Sequence, residues 1–289
     1  MVDGFLIIDK PAGITSHDVV SRVRRILKTR KAGHTGTLDP FATGVLPVAV
    51  GEGTKAIPFL DEGEKEYEAI ILLGTVTDTL DYTGAVLQEA DWSTVTASSL
   101  QESMATLTGT ISQIPPMYSA IKQGGQPLYK LARQGVEVER QPRQVTIHTF
   151  KLLACDFPAL TVRVRCSRGT YVRTLADDLG RLLGCGACLS SLRRTVSGPF
   201  RIADAITLEQ LEHCAEHGEL QGQFIGPLAA LTHLPEIVLT HEQTIKVSHG
   251  ITPELPVDVE ICRLSYEQRL RAVAQRKPDG RMMLQRVFH

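Results

Sequence analysis

The chain has 289 residues, 43% of them hydrophobic and 22% charged, the composition of a globular protein that is long for one core and short for three domains. Its formal net charge of −1 excludes a uniformly basic surface, and apolar runs such as Ala69–Leu73 are too short to cross a bilayer. Six scattered cysteines predict a reduced chain without disulfides; the Cys185/Cys188 pair has the spacing of half a zinc site but no second half.

In chain order, Phe5–Ile8 reads as a short apolar strand, entered with no signal-like segment before it, so the expected location is the cytoplasm. Asp9-Lys10-Pro11-Ala12-Gly13 ends it. Thr15 and Asp18 then have capping-box spacing, and apolar residues at 19, 20, 23, 26 and 27 predict a helix. Arg22, Arg25 and Lys28 lie on its other face, and six of the ten residues from Arg22 to Lys31 are basic. Such a face is often merely solvated, but a polyanion responds to a local patch rather than to net charge.

Residues 32–47, Ala-Gly-His-Thr-Gly-Thr-Leu-Asp-Pro-Phe-Ala-Thr-Gly-Val-Leu-Pro, contain three glycines and two prolines and show neither helical nor strand periodicity. They read as an ordered loop presenting one carboxylate, Asp39, with Pro40 restricting its backbone. On composition alone, an ordinary turn explains Leu-Asp-Pro equally well. Leu46–Val50 is a buried strand, and the Gly51-Glu52-Gly53-Thr54-Lys55 that follows lacks the spacing of a nucleotide phosphate loop.

Lys65–Gly74 predicts a strand, residues 75–84 a polar loop, and Ser98–Leu107 a helix with Leu100, Met104 and Leu107 inward. From Ile114 to Lys130 a loop-rich excursion interleaves tyrosines with Lys122 and Lys130, a composition suited to unpaired bases and phosphates. Strands resume at Val145–Leu153 and Leu160–Cys166. A helix follows Ser167–Arg173, its inward face being Val172, Leu175, Ala176, Leu179, Leu182 and Leu183 and its stop Gly184. A strand pair spans Leu192–Phe200, and Thr207–Gln210 caps a short helix. From Leu231 helical periodicity disappears, which predicts a small β-barrel; residues 259–289 hold seven Lys/Arg against three Asp/Glu.

Gly33-His34-Thr35-Gly36-Thr37-Leu38-Asp39-Pro40, followed by Ala42-Thr43-Gly44-Val45-Leu46-Pro47, resembles the signature of the TruB-type tRNA pseudouridine synthases. Asp9-Lys10-Pro11, Lys65-Glu66-Tyr67, Cys166–Arg173 and Leu192-Arg193-Arg194-Thr195 agree with that family in order and spacing. The resemblance covers residues 4–230, and the remainder is similar to its shorter PUA-like C-terminal domain. It implies an α+β catalytic domain, residues 1–230, around a mixed and largely antiparallel sheet flanked by helices. Within it, residues 115–143 are an RNA-binding insertion, and residues 231–289 form a PUA-like RNA-binding barrel.

The activity implied is isomerisation of uridine-55 in the tRNA T loop to pseudouridine, with tRNA the partner, no cofactor, no metal and no protein partner, the chain acting as a monomer. Asp39 would be the catalytic carboxylate, Arg173 the cation that keeps it ionised, and Tyr67 the ring stacked on the target base. Tyr171 and Leu192 would wall the site, His34 would fill the space left by the flipped base, and Lys10 and Lys55 would lie near the site or phosphates. Two alternatives stay open: a tRNA-folding chaperone without catalysis, and a guide-RNA-dependent rRNA enzyme of the same superfamily.

Overall fold

The computed structural model describes residues 3–61, 63–255 and 259–289. The chain divides into two compact units, one of Met1–Pro40, Gly44–Asp61 and Gly198–His289, the other of Phe41–Thr43 and Glu62–Ser197. No helix among the described residues is long and apolar enough to cross a membrane.

In the first unit the strand Gly4–Lys10 runs antiparallel to Thr43–Val50, from Gly4 opposite Val50 to Lys10 opposite Gly44. On the other side of Thr43–Val50, Ala32–His34 pairs with Val50–Val48. The loop expected over 32–47 is therefore shorter, because both its ends are drawn into the sheet. Backbone pairing supplies partners that the glycines, with no side-chain signal, do not advertise. The helix Ser16–Ile26 begins at the Thr15 cap, where the Thr15 and Asp18 side chains each accept the other's backbone N–H. Val19, Val20 and Val23 are buried while Arg22, Arg25 and Lys28 are exposed, as the periodicity requires. Leu208–His217 repeats the device with Thr207 and Gln210.

The last sixty residues do not stand on a core of their own alone. Leu231, Leu234, Leu270, Val273 and Phe288 pack with Phe5, Ile7, Val45 and Ala49 in one cluster. A second cluster, around Leu239, Val247, Cys262, Leu264, Ala272 and Ala274, lies within the C-terminal segment. Its sheet runs Glu236–Val238, Ile261–Tyr266, Arg269–Arg276, Met282–Val287, the first pair parallel and the others antiparallel. A helix the periodicity did not reveal, His241–Ser248, carries the capping box of Thr240 and Gln243; only Val247 on it is buried, too little for an apolar stripe.

The second unit is built on a sheet of antiparallel strands in the order Ala187–Ser197, Glu64–Leu73, Ala159–Ser167, Arg143–Asp156, Gly109–Gln113. Tyr67, Ala69, Ile71 and Leu73 alternate with less buried residues along Glu64–Leu73, and Leu160, Val162, Val164 and Cys166 continue the apolar face on the next strand. The charged face is laced across strands, Arg163 Nη2 lying 2.7 Å from Glu68 Oε1. The helix Ala97–Thr106 buries Leu100 and Met104.

Val172–Leu183 ends at Gly184, whose φ of 77° is the left-handed stop expected there. A Cβ at Gly180 would collide with the backbone of Gly186 and Ala187, so glycine lets this helix close on the following strand. Leu182, expected inward, is 51% exposed because it lies in the last turn of the helix, while Val172, Leu175, Ala176 and Leu179 are buried. The polar loop expected at 75–84 begins as a strand, Thr75–Thr77, paired with Val86–Glu89. Four threonines and two aspartates conceal that hairpin, since β-branched threonine serves strand and turn alike.

Candidate active site

In the first unit the acid-bearing loop is held by backbone contacts on both sides of Asp39. Ser16 Oγ accepts the Leu38 N–H at 2.9 Å and donates to the Leu38 carbonyl at 3.1 Å. The Pro40 carbonyl accepts from the Gly13 N–H at 2.8 Å and from Lys10 Nζ at 3.1 Å, and Lys10 Nζ also reaches the Pro11 carbonyl at 2.9 Å. Lys10 is fully buried, and carbonyl dipoles are what make an ammonium tolerable there. Leu38 is buried and Asp39 half-buried, so the apolar neighbour anchors the turn that carries the acid. The Thr35 N–H to the Pro47 carbonyl, 3.1 Å, closes the loop's base near His34, itself half-buried.

Lys55 has a structural position. Its ammonium binds Glu52 Oε2 at 2.5 Å and the Val287 carbonyl at 3.1 Å, so it ties the C-terminal strand to residues 52–55. Burial raises the Glu52 carboxyl, but hydrogen bonds from Lys55 and Lys31 outweigh it and leave the group below its ordinary range.

In the second unit Arg173 enters on the first turn of Val172–Leu183 and is 3% exposed. Its Nη1 donates to the Thr79 carbonyl at 2.9 Å, its Nη2 to the Tyr118 carbonyl at 2.7 Å, and Asp81 Oδ2 lies 3.6 Å from Nη1. Asp81 is equally buried, and its Oδ1 accepts from the Thr83 N–H at 3.0 Å, the Thr83 hydroxyl and the Thr79 hydroxyl at 3.0 Å. The guanidinium plane is thus held by groups from two separate stretches of chain, Thr79 with Asp81 and Tyr118, which suits a rigid planar cation. Tyr171 is oriented through its backbone: its N–H donates to Gln113 Oε1 at 2.8 Å and its carbonyl accepts from Gln113 Nε2 at 3.1 Å.

Tyr67, 7% exposed, stands opposite Arg194 on one neighbouring strand and Val164 on the other. Leu192 is opposite Ala69, so it shares the buried face with Tyr67 one pleat along. Arg194 is fully buried, and the pleat places it beside Tyr67. Tyr67 and Leu192 are therefore brought to one face, and Arg173 and Tyr171 to one helix start. Phe41, two residues after Asp39, meets the Tyr82 ring edge-on at 5.8 Å.

Sequence reasoning missed three contributors. Ser16 lies inside the capping box without a role of its own in it, Asp81 is one acid in a polar loop, and Gln113 falls in a stretch with no expected element. Each acts on a backbone or a charge distant in sequence, for which spacing carries no sign. The cysteines take no part: burial pushes the Cys166 thiol up to about 11 and raises Cys185 and Cys188, so these groups stay protonated and poorly nucleophilic.

The family model described as "TruB family pseudouridylate synthase (N terminal domain)" matches residues 24–172, and "tRNA pseudouridylate synthase B C-terminal domain" matches 173–242. The chain is 52% identical to the tRNA pseudouridine synthase B of Geotalea uraniireducens (strain Rf4), over 100% of this chain and 98% of that protein. It is 44% identical to the protein of that name from Pseudomonas aeruginosa (strain UCBPP-PA14), over 99% and 96%. Among solved structures, a Cbf5-Nop10-Gar1 complex contains a chain of the same fold, with TM-score 0.74 and 27% identity, covering 99% of this chain and 84% of that one. An H/ACA RNP bound to a substrate RNA containing 2′-deoxyuridine gives TM-score 0.74 at 26% identity, over 99% and 85%. The architecture is the α+β pseudouridine-synthase fold.

Proposed function

The chain belongs to the TruB family of pseudouridylate synthases, and on that premise we propose that it isomerises uridine to pseudouridine in tRNA, at position 55 of the T loop. The observation that carries this reading is the near-full-length identity to relatives named for that activity, joined to a signature loop whose single acid is bracketed on both sides.

In this reading the N1–C1′ glycosidic bond breaks, the uracil turns, C5 bonds to C1′ and the C5 proton leaves. No atom is imported and nothing is oxidised, so the reaction requires neither cofactor nor metal. Asp39 is the carboxylate that meets the reacting nucleotide, a device shared with enzymes that cleave glycosidic bonds through oxocarbenium-like charge. Arg173, held by two carbonyls and Asp81, supplies the fixed positive charge that favours ionised Asp39 over its protonated form. The Tyr67 ring stacks on the target uracil, Tyr171 and Leu192 exclude water, and His34 occupies the gap left in the T loop. Lys10 supports the Asp39 loop, and Lys55 acts near phosphates at the surface of the first unit.

Residues 1–230 form the catalytic domain, with 115–143 the segment that grips the T arm, and residues 231–289 an accessory RNA-binding domain. The exposed Arg22, Arg25 and Lys28 meet the RNA backbone. The protein works alone, as a monomer, in the cytoplasm.

The test is incubation of the purified chain with an unmodified tRNA transcript in chelated buffer, followed by mapping of pseudouridine. Product at position 55 is expected from the wild type. Asp39→Asn should retain tRNA binding and yield no product. Equal product from Asp39→Asn, or product only after addition of a guide RNA or protein, would overturn the reading.

A further inference from the structure

We propose that Ser16 is a positioning residue for the reaction, setting the Asp39 carboxylate by clamping the peptide groups of Leu38. This rests on the assignment of Asp39 as the reacting carboxylate.

Ser16 opens the helix Ser16–Ile26 and is 2% exposed. Its single hydroxyl serves both backbone groups of one residue, accepting from the Leu38 N–H at 2.9 Å and donating to the Leu38 carbonyl at 3.1 Å. A neighbouring strand ordinarily engages an N–H and a C=O in this manner, so the hydroxyl satisfies both backbone groups of Leu38, which lies outside any strand. The Leu38 carbonyl belongs to the peptide unit that ends at the Asp39 nitrogen, and fixing its plane fixes one side of Asp39. On the other side the Pro40 carbonyl is held by Gly13 N–H and Lys10 Nζ, at 2.8 Å and 3.1 Å. Pro40 limits the backbone of Asp39 further. The peptide plane before Asp39 is anchored directly, and the Pro40 carbonyl, one peptide beyond Asp39, is anchored in turn, so the backbone of Asp39 is restricted from both sides.

The anchors come from rigid parts. Gly13 and Ser16 flank the capped helix start, and the Thr15–Asp18 box fixes that start. Lys10 ends a strand paired along its whole length. The helix that carries Ser16 also carries exposed Arg22 and Arg25, so the element that presents positive charge is the one that holds the acid. Catalysis by a positioned carboxylate is sensitive to displacement: about 1 Å of misplacement costs about a hundredfold in rate.

The experiment measures single-turnover pseudouridine formation with saturating enzyme, together with tRNA affinity and Tm, for wild type, Ser16→Ala and Thr207→Ala. Thr207 caps a different helix and supplies a comparable loss of stability without touching the acid loop. Ser16→Ala is expected to slow the single-turnover rate by about 10- to 100-fold while affinity stays within about twofold. Thr207→Ala should keep the wild-type rate. Should Ser16→Ala fail to fold, Ser16→Cys replaces it, since the thiol fills the same space but is a weak donor and acceptor, with the same expected outcome. A Ser16 variant that folds and retains the wild-type rate, loses affinity alone, or loses rate only as Thr207→Ala does overturns the proposal. An inactive wild type, or an active Asp39→Asn, instead overturns the assignment of Asp39 on which it stands.

Discussion

Asp81→Asn offers a direct test of how the cation at residue 173 is held. The substitution keeps the volume of the side chain and an oxygen for the Thr83 N–H and the Thr83 and Thr79 hydroxyls, and removes only the charge facing Arg173. Unit charges at the observed 3.6 Å attract by about 4.6 kcal/mol at an effective dielectric of about 20. Against this, the variant no longer desolvates a carboxylate, which returns several kcal/mol, and Arg173 keeps its bonds to the Thr79 and Tyr118 carbonyls. The net loss should be about 2 kcal/mol, less than the ~3–5 kcal/mol of a buried pair broken with no remaining partners. For a chain of 289 residues that corresponds to a fall in Tm of about 3 °C. Because the guanidinium loses one of its fixed neighbours, pseudouridine formation should fall by about tenfold or more with tRNA affinity preserved. Thermal denaturation and single-turnover product formation read the two effects. A variant with unchanged Tm and unchanged rate would show that the two carbonyls alone hold Arg173, and would refute the reasoning.

Two other predictions concern stability. The hairpin joining Ile261–Tyr266 to Arg269–Arg276 turns through Glu267 and Gln268, with φ of 50° and 57°, a left-handed pair in residues that disfavour it. Gln268→Gly should therefore raise stability by about 0.5–1 kcal/mol, measured by chemical denaturation, and a loss would show that the Gln268 side chain makes a stabilising contact. On the helix Val172–Leu183, burial, with Asp177 beside it, pushes the Asp178 carboxyl up to about 6. The folded form then binds a proton more tightly than the unfolded chain, so this group contributes stability at low pH and loses it as pH rises through about 6. Asp178→Asn should leave Tm nearly unchanged near pH 4 and raise it above the wild type at pH 7.5; an equal shift at both pH values would refute the titration.

Much of the second unit could be read from period alone. Strand alternation over Leu160–Cys166 and helical spacing over 172–179 match the buried residues, because each depends on local geometry that one face of one element satisfies. The misreadings lie where tertiary pairing overrides local character. Ala32–His34 became a strand because Val48–Val50 offers it partners, and Thr75–Thr77 because Val86–Glu89 does. Leu182 points outward because the strand that closes on Gly180 leaves the last turn uncovered.

Residue types and their spacing single out Asp39 as the candidate acid and its loop: three glycines and two prolines surround it, and blocks at 9–11, 65–67, 166–173 and 192–195 match the same family. How each charge is held in place emerges only on folding. Ser16 clamps Leu38, Gly13 and Lys10 clamp Pro40, and Asp81 with the Thr79 and Tyr118 carbonyls clamps Arg173. The physical reason is that reactive groups are chosen by residue type, which a sequence records, whereas their positions are set by hydrogen bonds to backbone groups far away in the chain. Every residue possesses those backbone groups, so nothing in the residue names distinguishes the ones that are used.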